Sequence, residues 1–241
     1  MGYLVERRQF GFYRSSPYLP GWINVTVRDV RREDLHPFIA DLRQSYPEHV
    51  ARIFLDHPVV DAELGPGLIG AGCSLSAGNV YLAHRGPIPP APDPPDFSIE
   101  MVDQANLREF VETEHRAFVG EESQPTAAEL AQEMALRTAE MSGSGRFALA
   151  RWGTEAAAVL DCYEAPDRLI FLLGTSPAYR QRGIATALLS HLLEDAAAAN
   201  CRSVIINVDP DEPAAQLYRK LGFTQQVYWQ RCYLLPPVPS G

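Results

Sequence analysis

The sequence predicts an α+β (mixed α/β) fold in two parts, and three observations carry that prediction. Short β-prone runs and amphipathic helical runs alternate along the chain, and a proline-rich stretch at residues 85–96 divides it. The 241 residues are 46% hydrophobic, enough to bury a sizeable core in one large domain or two small ones. Six prolines between Pro87 and Pro95 suit neither a helix interior nor a central strand, so this stretch is expected as an extended, fairly stiff connector.

Before the connector, WINVTVRDV (22–30) alternates like a strand and REDLHPFIADLRQSY (32–46) has helical spacing around an early proline. EHVARIFLDH (48–57) is expected as a second short helix and NVYLAHR (79–85) as a strand. GPGLIGAG (65–72) lacks the Lys-Ser/Thr of a phosphate loop and is expected as a flexible loop. The aromatic start, YLVERRQFGFYRSSPYLPGW (3–22), suits a lid or a packing strap. INVTVRDVRREDLHPFI and FSIEMVDQANLREFV share a rhythm, which raises a shortened internal duplicate beside the reading of chance similarity.

After the connector the pattern is regular. FSIEMV (97–102) reads as a strand and NLREFVETEHRAFV (106–119) as a helix. TAAELAQEMALRTAEM (126–141) is a second helix, opened by a Thr with Glu three residues on, the pattern of a capping box. Three strand-like runs come next, at 146–152, 155–163 and 168–175, joined by short turns. A helix opening at Gly183 sets Ile184, Leu188, Leu189, Leu192 and Leu193 on one stripe. SVIINV (203–208) is a continuously apolar strand, EPAAQLYRKLG (212–222) a short helix with Pro at its first turn, and QQVYWQRCYLL (225–235) a final strand.

Composition bounds the partners. The net charge of −9 argues against a polyphosphate groove, which needs a basic face, and fits a cationic or neutral small substrate. No apolar window is long enough to span a membrane, and the N-terminus lacks the pattern of a secretory signal. Cys73, Cys162, Cys201 and Cys232 are scattered, without metal or disulfide spacing, and read as reduced thiols of a cytoplasmic protein. Lys220 is the only lysine against twenty arginines, a bias typical of a high-GC bacterial genome.

Chemistry concentrates at TSPAYRQRGIAT (175–186). Here a strand enters a helix through a small-residue turn flanked by two arginines. Exposed N–H groups at a helix start, beside basic side chains, suit an anion and especially a phosphate.

Three features in order resemble the GCN5-related N-acetyltransferase (GNAT) family over residues 97–235. Arg180-Gln-Arg-Gly183-Ile-Ala185 matches the family's Arg/Gln-x-x-Gly-x-Gly/Ala signature between its fourth strand and third helix. Asp211 stands seven residues before a tyrosine, where the family often has Asn. LYRKLGF (217–223) is close to the family's Leu-Tyr-x-x-x-Gly-Phe ending. The resemblance implies a domain over 97–241 with a central, mostly antiparallel sheet split at the family's strands 4 and 5. The segment before it, 1–96, reads as a smaller α/β unit and as a candidate degenerate copy of the same fold.

What the family does implies the site. Acetyl-CoA would be the co-substrate, with no metal. The N–H groups of Gln181, Arg182, Gly183, Ile184, Ala185 and Thr186 would cradle its pyrophosphate, with Arg180 and Arg182 adding charge and Asp211 nearby. Gly183 permits close backbone approach, and Ala185 keeps the next turn small. Leu173, Gly174 and Thr175 would offer main chain to the pantetheine arm, with Gly174 easing the bend of the strand. Tyr218 would protonate the departing thiolate when an amine attacks the thioester. The base is less legible. Leu169 stands where several relatives carry a strand glutamate, which leaves Asp161, Glu164, Glu114, His115 and water as candidates. The implied activity is transfer of an acetyl group to a small-molecule amine, with specialised metabolism as one setting, by a monomer or homodimer. Two alternatives stay open: a non-catalytic sensor of acyl-CoA, and a transferase for a longer acyl group or an unusual acceptor.

Overall fold

A computed structural model describes residues 4–28, 30–90 and 96–238. It divides into two compact units, one formed by residues 82–208 and 212–225, the other by residues up to 81 together with 209–211 and those from 226 on. The centre of the expected proline-rich connector, residues 91–95, lies outside the described residues. Among the described residues, no helix is long and apolar enough to cross a membrane.

The unit that holds the start of the chain begins with a hairpin, β1 (Leu4–Arg8) and β2 (Gly11–Ser15). This is where the aromatic start was expected as a lid or strap. Instead it is sheet, because Phe10 and Tyr13 drop into the core at 6% and 1% exposure. Next come β3 (Trp22–Val27), α1 (Leu35–Ser45), β4 (Val50–Leu55), α2 (Pro58–Gly70) and β5 (Ser74–His84). The expected second helix over 48–57 is therefore β4. Ala51, Ile53 and Leu55 alternate into the core with the period of two that a strand requires. The expected loop over 65–72 is mostly helix: α2 runs to Gly70 with Pro66 inside it and His57 capping the Val59 N–H. Gly65 lets the helix lie against the Tyr233 hydroxyl, and Gly67 against Leu35.

The second unit contains β6 (Phe97–Met101), α3 (Leu107–Phe118), α4 (Ala127–Met141), β7 (Gly145–Trp152), β8 (Glu155–Glu164), β9 (Arg168–Thr175), α5 (Ile184–Ala198), β10 (Val204–Val208), α6 (Pro213–Lys220) and the start of β11 (Phe223–Leu235). These agree with the sequence expectation within a few residues, and the Thr126–Glu129 capping box is present. β6, β7, β8 and β9 form an antiparallel run, and β10 joins β9 in parallel. α3 packs on β8 through a core in which Phe110 and Phe147 meet edge to face at 5.3 Å.

The two units share a sequence of elements. In the first, β3 and β4 are parallel strands joined through α1 and followed by α2; in the second, β9 and β10 are joined through α5 and followed by α6. Both units thus carry a parallel strand pair joined through a helix and followed by a second helix, in another register from the one the sequence rhythm suggested. β3 answers to β9 rather than to β6, since β6 pairs antiparallel with β7 and β3 pairs parallel with β4. The first unit's sheet is completed by residues 231–235 of β11, antiparallel to β4.

Candidate active site

The decisive local feature is a fork. β9 and β10 pair only at Arg168–Ile170 against Val204–Ile206. In the other unit, β3 and β4 stay paired over five positions. At the fork β9 carries a bulge, since Asp161 of β8 opposes Leu172 while the next residue, Cys162, opposes Ile170. A bulge bends its strand and re-aims the residues beyond it. The bend therefore sits at Phe171 rather than at Gly174. Asn207 holds the branch point, its amide donating to the carbonyls of Ile170 (3.2 Å) and Phe171 (3.1 Å).

Gly174 has a different task. A β-carbon there would lie 2.6 Å from Phe118 Cε2 and 2.9 Å from Ala117 Cβ, so only glycine lets the end of α3 approach the strand.

The fork opens into a cleft of about 640 Å³. Leu173, Gly174 and Thr175 form one wall, Arg180, Gln181 and Gly183 the turn, and Ile184, Ala185 and Thr186 the helix entrance, with Tyr218 facing them from α6. The turn is unusual. Gln181 and Gly183 both have left-handed backbone, φ +62° and +81°, and Gly183 is the N-cap of α5. Alternating left- and right-handed residues make neighbouring N–H groups converge into an anion-binding concavity. No side chain caps α5 and no acidic residue occupies its first turn, so its first N–H groups and positive dipole end face the cleft.

Two of the twelve expected residues stand outside the cleft's lining. Arg182 lies over Trp152 and Tyr179, 5.2 and 5.3 Å from the ring centres. The Asp211 N–H bonds to Asp209 Oδ1 at 3.0 Å. Arg180 lines the cleft, and it is also a strut, donating to Thr175 O at 3.0 Å and to Ala117 O at 2.8 Å. Sequence reasoning missed Ala117, Phe118 and Glu212, which also line the cleft. It likewise missed Asn207, whose only sequence signal is a polar residue inside the apolar run VIINV.

Tyr218 is 6% exposed and packs edge to face on Phe223, 6.3 Å between ring centres. Burial, with a lesser push from Glu212, raises its phenol to about 12. Its phenol is therefore neutral at physiological pH.

The base candidates separate. Glu164 is engaged by Arg146 (3.2 Å) and Arg168 (2.8 Å), away from the cleft. Glu114 and Asp161 meet instead on Arg137, with Glu140, in one buried ion cluster. Among the described residues no group of three or more His, Cys, Asp or Glu is arranged to hold a metal ion.

A family model now joins the geometry. Residues 106–223 match the model of the Acetyltransferase (GNAT) family. This segment is a GNAT acetyltransferase domain. Solved structures extend the fold likeness over the chain. A GCN5-related N-acetyltransferase from Sphaerobacter thermophilus is 16% identical with a TM-score of 0.68, covering 95% of this chain and 78% of its own. A tandem GNAT protein from the clavulanic acid biosynthesis pathway is 16% identical, TM-score 0.65, with 96% and 80% covered. A functionally unknown conserved protein from Staphylococcus epidermidis is 12% identical, TM-score 0.71, with 96% and 93% covered. Comparison with curated proteins returns no match.

Proposed function

We propose that the protein transfers an acetyl group from acetyl-CoA to the amine of a small-molecule acceptor by direct attack on the thioester. The observation that carries this reading is the β9–β10 fork opening onto an uncapped helix start, with a neutral buried tyrosine in the same cleft. The residues fit the co-substrate. The edge of Leu173–Thr175, which β10 leaves unpaired and where Arg180 takes only the Thr175 carbonyl, offers main-chain partners to the pantetheine amides, and the N–H groups from Gln181 to Thr186 offer them to the pyrophosphate. The thioester supplies the activated acyl group; the chain supplies orientation and a proton. Tyr218 donates its phenolic proton to the leaving sulfur.

Direct transfer is favoured over a covalent enzyme intermediate. Cys162 is 3% exposed, burial pushes its thiol up to about 12, and it does not line the cleft. The fold neighbours named as N-acetyltransferases support the choice of nitrogen as the acceptor atom.

The test is release of CoA thiol from acetyl-CoA with a set of primary amines, for wild type and Tyr218→Phe. Turnover that falls at least about 100-fold in the variant, with acetyl-CoA binding retained, supports the reading. Acetyl-CoA binding without turnover across the set favours the sensor alternative.

A further inference from the structure

A second cavity, of about 390 Å³, adjoins the cleft within the same unit, and Phe118 lines both. Its wall carries Glu114, Glu129, Glu133 and His115, with Leu172 of β9. Glu114 belongs to the buried ion cluster. Arg137 of α4 lies 2.7 Å from Glu114, 2.9 Å from Glu140 and 3.3 Å from Asp161, and Tyr163 donates to Glu140 at 2.5 Å.

The cluster is unbalanced. Three carboxylates face one guanidinium, and all four side chains are at most 19% exposed. Two of the carboxylate oxygens, Glu114 Oε2 and Asp161 Oδ1, and the Nε of Arg137 itself are buried without a hydrogen-bond partner. Buried negative charge in excess is costly unless a proton or a cation relieves it. Asp161 opposes Leu172 in the β8–β9 ladder, and opposed residues share a sheet face, so Asp161 lies on the side of the sheet that the second cavity occupies. A single structural ion pair does not account for the two surplus carboxylates.

We propose that this cluster is the proton acceptor for a cationic amine seated in the second cavity, with Glu114 as the catalytic base and Asp161, Glu140 and Arg137 as the groups that position and tune it. The inference rests on the acetyl-transfer reading above. Glu129 and Glu133 attract the ammonium. Its first proton passes to the Glu114 carboxylate, and the freed lone pair forms the N–C bond at the thioester carbonyl. The C–S bond breaks, and the sulfur leaves with the electron pair and takes the Tyr218 proton. The nitrogen loses its second proton, which through solvent restores the phenol. Glu114 returns the first proton to water, so one proton is released per turnover.

The surroundings raise the base above the ordinary carboxylate range. Glu114 is pushed up by burial foremost and by Glu133 and Glu140, against Arg137. Asp161 is pushed up to about 7, again by burial first, with Glu114 and Glu140 adding to it and Arg137 and the Phe171 amide opposing. Interacting carboxylates of this kind titrate as a group.

Two measurements on the full chain test the proposal. By carboxyl-carbon NMR, Glu114 and Asp161 should titrate together above the ordinary carboxylate range and move on addition of 1,4-diaminobutane. Titration of both in the ordinary range, roughly pH 4, without response to the diamine would overturn it. In the thiol-release assay, Glu114→Gln should lower kcat/KM by about 100- to 10,000-fold and abolish the acidic limb of the pH profile, with acetyl-CoA binding unchanged. Glu114→Asp should restore part of the rate and the limb. A Glu114→Gln enzyme with the wild-type limb removes Glu114 as the base and leaves the acetyl-transfer reading standing. Failure of the wild type to bind acetyl-CoA removes both.

Discussion

Replacing Gly174 with alanine puts a methyl group where the structure has no room. The new carbon would sit 2.6 and 2.9 Å from Phe118 Cε2 and Cζ, and 2.9 Å from Ala117 Cβ. The Phe118 ring is 59% exposed and can swing aside. Ala117 cannot, because it is buried in α3 and its carbonyl accepts from Arg180 at 2.8 Å. To reach ordinary contact, the end of the helix must retreat by roughly half an ångström. Overpacking of this kind costs about 1–3 kcal/mol. At about 2–4 °C per kcal/mol for a chain this long, Tm should drop by roughly 2–12 °C. Acetyl-CoA affinity should fall as well, since Ala117, Phe118 and Gly174 all line the cleft. Thermal denaturation followed by circular dichroism, with calorimetric titration of acetyl-CoA, measures both. Adding Phe118→Ala removes two of the three contacts and should recover part of the lost stability. A Gly174→Ala protein that melts and binds like wild type would refute the close-approach explanation.

Other perturbations have equally definite outcomes. Arg180→Ala cuts the strut between α3 and β9 and should cost roughly 1–2 kcal/mol in denaturant unfolding, partly exposed as the bonds are, with weaker acetyl-CoA binding. Asp161 has a folded pKa raised from 3.8 to about 7, so its protonated form contributes stability at low pH that is lost as pH rises through neutrality. Wild type should therefore lose on the order of 2 kcal/mol relative to Asp161→Asn between pH 5 and 8, read from urea midpoints. An unchanged difference across that range would mean that Asp161 is ionised throughout. Asn207→Leu removes the amide that holds the fork and should lower acetyl-CoA affinity more than it lowers Tm, by calorimetry and melting on the same samples.

The second unit was legible because its signals are local. The Thr126–Glu129 box, the Gly183 helix start and the proline opening α6 are each set by neighbours in sequence. The first unit was harder to read. β4 carries charged flanks and a mixed pattern, and what makes it a strand is pairing with β3 and with residues 231–235, far away in the chain. α2 contains a proline and several glycines, yet Gly65 and Gly67 are there for close packing against Tyr233 and Leu35. At the site, the glycine turn at the start of α5 and Tyr218 were readable from sequence. The bulge at Phe171, the Asn207 anchor and the convergence of Glu114, Glu140 and Asp161 on Arg137 are three-dimensional facts that spacing does not encode.

The most direct test of the cleft is calorimetric titration of acetyl-CoA into wild type and Gly183→Glu, each checked for folding by its melting curve. A glutamate at this left-handed N-cap blocks the converging N–H groups and repels a pyrophosphate. The structure predicts micromolar binding to wild type and a loss of at least roughly 2–3 kcal/mol in the folded variant. Equal binding by both proteins, or none by wild type, would contradict the assignment of this cleft to coenzyme A.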